Sequence, residues 1–321
     1  DGIHVLLFAG CNIVKYPRSP LVVQRHVHVV GQLFLFAHVE QSSDLILRQR
    51  LCARHINDVR VIALSNLQAP DTISQFADPS RFKTIEGTTN GEVVLSFNQA
   101  RAPFDDPKVR RAARQAIDTK SLMESCWAGR GTLIGSMVPP TDPWYEDLTG
   151  VTPFDKAKAT ALLAEAGKTG TTLRLRVPTL PYATSCGQVV KAQLEAVGFK
   201  VTLDSLEFPA AWLTTVFKGG DFDMSIVAHV EPRDLKGVFG NPEYYTHYGT
   251  ADIQALLKAA DEGSADDQVT NLKKAARLIA EDAAGDVLFL LPNLMVADKG
   301  ITGLPKNGIA VAFDLSKLAK A

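Results

Sequence analysis

The sequence is short of nearly every feature that announces a chemistry. It has four cysteines in 321 residues, Cys11, Cys52, Cys126 and Cys186, with no C-x-x-C pair. That excludes a zinc ribbon or dithiol redox motif and offers no disulfide framework. Neither charge is in excess: 34 basic residues face 35 acidic ones, a net charge of −1. A neutral chain lacks the electrostatic footprint of a general nucleic-acid or membrane-surface binder. Long apolar runs are missing too. The stretch VVGQLFLFAHV at residues 29–39 is too short for a span of about 20 residues and reads as a buried strand pair. The chain begins at Asp1 and shows no signal-peptide pattern.

Enzyme signatures are equally scarce. Ala166-Gly167-Lys168-Thr169 looks like the end of a phosphate loop, but Leu162 stands where that motif needs glycine. Gly129, Gly131 and Gly135 miss the dinucleotide spacing by one residue. No G-x-S-x-G occurs. His26 and His28 share one strand face without a third ligand at informative spacing, so they read as ordinary strand histidines and not as a metal pair. Cys126, beside Trp127, reads as a buried thiol.

What is present changes along the chain. Residues 1–70 hold seven basic residues, only one of them lysine, and five of the seven histidines. Beyond residue 70, alanine-rich helical stretches alternate with Val/Leu/Phe runs bounded by Gly and Pro, which indicates a layered α/β domain. Residues 92–97 (EVVLSF) follow Asn90-Gly91, read as a turn, and form a strand. Asp105-Asp106-Pro107 opens a helix, Asp offering the N-cap and Pro the first position, and its apolar side uses Val109, Ala112, Ala113, Ala116 and Ile117. Further helices are expected at 122–127, 155–166, 186–197, 209–217, 252–261 and 267–282. Strands are expected at 173–177, 200–206, 222–230 and 287–291.

Several segments resemble one family. Val94-Leu95-Ser96-Phe97-Asn98, then Ala102 to Ala112 (APFDDPKVRRA), then Ala116-Ile117-Asp118 form a run similar to one of its most specific features. Val138-Pro139-Pro140 to Trp144, Phe154-Asp155, and Lys158-Ala159 to Gly167 follow in the family's order. So do Gln193-Leu194 to Val201, Gly220-Asp221-Phe222-Asp223-Met224, and Leu278 to Asp282 with Leu288 to Pro292. About 250 of the 321 residues are covered. This resembles the later part of an extracytoplasmic solute-binding protein of family 5, the peptide/nickel class that serves ABC importers. Ala228-His229 stands in place of the family's Gly-Trp, and residues 1–70 match nothing that can be placed.

The resemblance implies a periplasmic-binding-protein-like (type II) α/β lobe with a partial second lobe. Residues 1–70 are then an atypical segment, out of frame or diverged, with weak packing. Residues 71–98 form part of the first lobe and the crossover strand, 99–290 the second lobe, and 291–321 return to the first. The chain leaves the second lobe from Val287. The implied function is that of a monomeric, extracytoplasmic receptor without cofactor or catalysis. It carries a peptide or similar small solute, held in an interlobe cleft, to a membrane-embedded permease.

Ligand contacts are expected at strand ends. His229-Val230-Glu231-Pro232-Arg233-Asp234 packs four titratable side chains after an apolar strand. By resemblance Asp234 receives a peptide ammonium. Arg233 suits a ligand carboxylate, and His229 stands near the family's Trp. Glu231, Tyr244, Tyr245, His247 and Asn98 complete the candidate set. A solvated loop with an internal Arg233 ion pair is the plainer alternative. Other readings are an α/β hydrolase-type enzyme using His229 with Asp234 or Glu231, and a truncated, nonfunctional product.

Overall fold

A computed structural model describes residues 7–8, 63–64, 67–68, 70–231, 233–308 and 316–320. In chain order its elements are β1 (Leu7–Phe8), β2 (Ala63–Leu64), a 3-10 helix (Pro70–Phe76), β3 (Phe82–Phe97), α1 (Pro107–Ala116), α2 (Thr119–Trp127), α3 (Lys156–Glu165), β4 (Thr172–Pro178), α4 (Pro181–Glu195) and β5 (Lys200–Leu206). Then come α5 (Ala210–Trp212) with a π-helical turn (Leu213–Lys218), β6 (Met224–His229), α6 (Asp234–Gly240), α7 (Ala251–Glu262), α8 (Ala265–Glu281), β7 (Gly285–Asp298), β8 (Ile301–Thr302) and β9 (Ala319–Lys320). The expectations for residues 29–39, for His26 and His28, for Cys11 and Cys52, and for Pro232 lie outside the described residues.

The chain divides into two compact units, one of residues 1–88 and 293–321, the other of residues 89–292. In the first, β1 pairs parallel with β2, and β2 pairs antiparallel with the far end of β7, Ala63 opposite Ala297. β8 and β9 form a short antiparallel pair. Phe76 and Phe82 pack edge to face at 5.3 Å.

The second unit carries the sheet order β7-β3-β6-β4-β5, with β3 and β6 antiparallel and β6, β4 and β5 parallel. Local chemistry explains much of it. Asp106 caps α1 by accepting the Lys108 N–H at 2.8 Å, and Pro107 pre-sets the first turn. Asp155 caps α3 in the same way, and Gly167 leaves that helix at φ +66°, where a side chain would be strained. Ser264 and Asp267 close a reciprocal capping box at the start of α8. Val93, Leu95 and Phe97 of β3 join Met224 and Ile226 of β6 in one core with α1, α2 and α4.

Four departures from the sequence reading have physical causes. Asn90-Gly91 lies inside β3 and forms no turn: the Asn90 amide donates to the Val230 carbonyl and the Gly91 N–H to Thr89 Oγ1, holding the residues in the strand. α4 begins at Pro181 and not at Cys186, since proline at a first helical position is already in helical geometry. β7 keeps residues from Val287 to Pro292 beside β3 in this unit, so the chain does not leave it at Val287. Cys126 is no free thiol: it is disulfide-bonded to Cys186, joining α2 to α4 with 4.9 Å between their Cα atoms.

Candidate functional site

The site grows from the pleat of two strands. In β6, Met224 and Ile226 turn into the core shared with α1, α2 and α4, so Ser225, Val227 and His229 line the opposite face. Register puts Ser96 opposite Ser225, Val94 opposite Val227 and Glu92 opposite His229. Directly opposed residues share a face. A polar series therefore crosses a buried surface.

Aromatic side chains close over it. Trp212 Nε1–H donates to Ser225 Oγ at 3.1 Å. The Tyr245 hydroxyl lies 2.8 Å from Ser96 Oγ and 3.0 Å from His229 Nε2, and the Tyr245 and His229 rings stack at 6.1 Å. Tyr244 stands half-buried beside them, its ring 6.5 Å from that of His229.

Beyond His229 the chain turns into α6. Asp234 is the first residue of that helix, and its carboxylate reaches back to accept the Glu231 N–H at 3.0 Å. Its Oδ2 is 3.8 Å from His229 Nδ1, too far for a hydrogen bond. Arg233 has left-handed backbone, φ +63°, and lays its guanidinium over the Trp144 ring at 5.0 Å.

Burial sets the charges. It pushes His229 down to about 4, so the ring is neutral near pH 7 and no counter-ion for Asp234. Glu92 is pushed up to about 8, mainly by burial, with the carboxylates of Asp234 and Asp142 adding to it. Burial also raises Asp234 and Asp142, and the Arg233 charge partly offsets the rise at Asp142. A half-buried carboxyl, Asp234, stands next to an exposed guanidinium, Arg233. Among the described residues no three His, Cys, Asp or Glu side chains are placed to hold a metal ion.

The structure brings His229, Asp234, Arg233, Tyr244 and Tyr245 together. Glu231 is exposed, contributing its backbone N–H. His247 is exposed and its Nδ1 faces the Pro242 carbonyl at 3.1 Å. Asn98 stands apart at the end of β3: its amide donates to the Gly220 and Phe222 carbonyls, and its oxygen accepts the Ala100 N–H. Glu92, Asp142 and Trp144 escaped the sequence reading. Glu92 left a signal as a carboxylate heading an apolar strand, and Trp144 as the end of a family-like segment.

The mixed α/β architecture is the one this chain shares with its solved structural neighbours, that of type II periplasmic-binding proteins. The chain belongs to the bacterial extracellular solute-binding proteins, family 5, whose middle region matches residues 57–234. That match begins inside the segment set apart above as residues 1–70. The chain is 44% identical over 97 residues to heme-binding protein A of Haemophilus influenzae, covering 28% of this chain and 18% of that protein. It is 30% identical over 158 residues to the dipeptide-binding protein of Escherichia coli, covering 47% and 29%. Among solved structures, the ABC transporter substrate-binding protein CtaP of Listeria monocytogenes superposes with a TM-score of 0.76 at 18% identity, covering 85% of this chain and 58% of that one. The oligopeptide-binding protein AppA of Bacillus subtilis, in complex with a nonapeptide, gives 0.70 at 19% identity, with 85% and 58% covered. These likenesses show the fold. The chain thus spans well under half the length of these curated relatives.

Proposed function

We propose that this chain is the solute-binding component of an ABC importer, taking a peptide or similar small solute and delivering it to a membrane-embedded permease. It acts outside the cytoplasm, as a monomer, without cofactor and without catalysis. The observation that carries this reading is the pairing of opposite charges at one turn: half-buried Asp234 and, next to it, exposed Arg233. A zwitterionic ligand has one end for each. A carboxylate in a water-poor site gains discriminating power from a charge-assisted hydrogen bond, and a guanidinium fork fits a ligand carboxylate. Membership of family 5 and relatives named for binding dipeptides or heme support the same reading.

The hydrolase-type alternative would need His229 as a base. Its Nε2 instead faces the Tyr245 hydroxyl, which burial keeps protonated, and this supports recognition over turnover. Mass spectrometry of small molecules co-purified with the chain identifies the ligand. Calorimetry with that ligand should then show Asp234→Ala costing roughly 2–5 kcal/mol of affinity. Unchanged affinity with the fold intact removes Asp234 from the site.

A further inference from the structure

Glu92 is the odd group in this site. Its side chain is 3% exposed, and its Oε2 has no hydrogen-bond partner among the described residues. Such an orphan costs stability, and its retention calls for an explanation. It faces His229 across the β3–β6 ladder, where opposed Cβ atoms stand about 5 Å apart. His229 is neutral and supplies no counter-charge. The charges that reach Glu92 are the carboxylates of Asp234, at the start of α6, and Asp142, in the loop before α3. The cation on this side, Arg233, lies over Trp144 and acts on Asp142. Glu92 opposes His229, and Asp234 Oδ2 stands 3.8 Å from Nδ1 of that same ring, so the two carboxyls flank one histidine without the convergence a metal ion requires. That spread suits a larger organic cation.

Resting on the receptor reading above, we propose that Glu92 is a positioning residue: capture of an ammonium or guanidinium group at Asp234 and Asp142 expels one proton from Glu92. The neutral carboxylic acid loses its proton to solvent buffer, and the resulting carboxylate adds its charge to the two that already face the ligand's cation. No bond within the ligand changes. The magnitude is adequate. A unit positive charge about 6 Å away weakens a carboxyl's hold on its proton roughly a hundred-fold at an effective dielectric of ~20. Glu92, pushed up to about 8 in the empty site, then passes from mostly protonated to mostly ionised at pH 7. By linkage, affinity for the cation rises with pH, about twenty-five-fold from pH 6 to pH 8.

The test offers the chain a mixture of dipeptides and identifies the retained species by mass spectrometry. That dipeptide is titrated calorimetrically at pH 7 in phosphate and in Tris, whose different ionisation heats count the protons exchanged. The expected result is release of most of one proton by the wild type and of none by Glu92→Gln, which imitates the protonated acid. Binding without proton release, or equal release from Glu92→Gln, overturns the inference and leaves the receptor reading standing. Retention of no dipeptide overturns the peptide reading and this inference with it. If Glu92→Gln does not fold, the Glu92 carboxyl 13C shift of the wild type decides instead: a titration midpoint that the dipeptide leaves in place overturns the proposal.

Discussion

The hydroxyl of Tyr245 bridges two strands, standing 3.0 Å from His229 Nε2 on β6 and 2.8 Å from Ser96 Oγ on β3. All three side chains are buried. Tyr245→Phe keeps the ring and deletes the bridge, leaving the histidine and the serine unpaired in an apolar setting. Loss of about 1–3 kcal/mol of stability is expected, read as a lower urea midpoint with an unchanged slope. An unaltered midpoint would mean that water replaces the hydroxyl.

The buried acids and the buried base respond to pH with opposite signs. Burial holds Glu92 protonated up to about 8 and Asp286 up to about 6. Unfolded, both ionise near the ordinary carboxyl value of about 4. Their contribution is full below that value and is lost as pH rises through 6 and then 8. His229, pushed down to about 4, contributes fully above the ordinary imidazole value of about 6.5 and loses its contribution as pH falls toward 4. Urea midpoints across pH 5–8.5 should therefore fall less steeply in Glu92→Gln than in the wild type. Superposable curves would show Glu92 ionising normally.

The Cys126–Cys186 bridge closes a loop with a sequence separation of 60. A cross-link over that distance stabilises by about 4 kcal/mol in the chain-entropy account, and by 2–4 in typical measurements. Replacing both cysteines with serine should lower the melting temperature, and a reducing agent should do the same to the wild type but not to the double variant. Equal sensitivity of the two proteins to reductant would place the effect elsewhere.

Arg233 offers a separable test of recognition. Its left-handed φ of +63° is costly for arginine and free for glycine, while its contact with Trp144 is worth about 0.5–1 kcal/mol at an exposed position. The two nearly cancel in Arg233→Gly, so the melting temperature should barely move. Affinity for a carboxylate-bearing ligand should drop about ten-fold or more. Equal affinity would leave Arg233 as a turn residue only.

Signals that are local in the chain were readable. The helix opening at Asp105-Asp106-Pro107, the helix expected at 155–166 and the strand at Lys200–Leu206 depend on a few neighbouring residues, and the structure keeps them. Asn90-Gly91 misled because its turn preference is weaker than the side-chain hydrogen bonds and strand pairing that flank it. α6 stayed hidden because DLKGVFG is only seven residues with an internal glycine. The candidate site was half legible. The turn at 229–234 concentrates polar residues in sequence, whereas Glu92, Asp142 and Trp144 reach it from distant segments. The disulfide shares that difficulty: nothing near residue 126 points to residue 186.

The place where Thr89 meets Leu291, hydroxyl to carbonyl at 2.6 Å, has a practical consequence. Both ends of the 89–292 unit lie in neighbouring strands, the arrangement in which circular permutation is tolerated. Joining those ends and opening new ones in a surface loop would leave intact the pairing of β3 with β6, at residues 92–97, on which the candidate site is built.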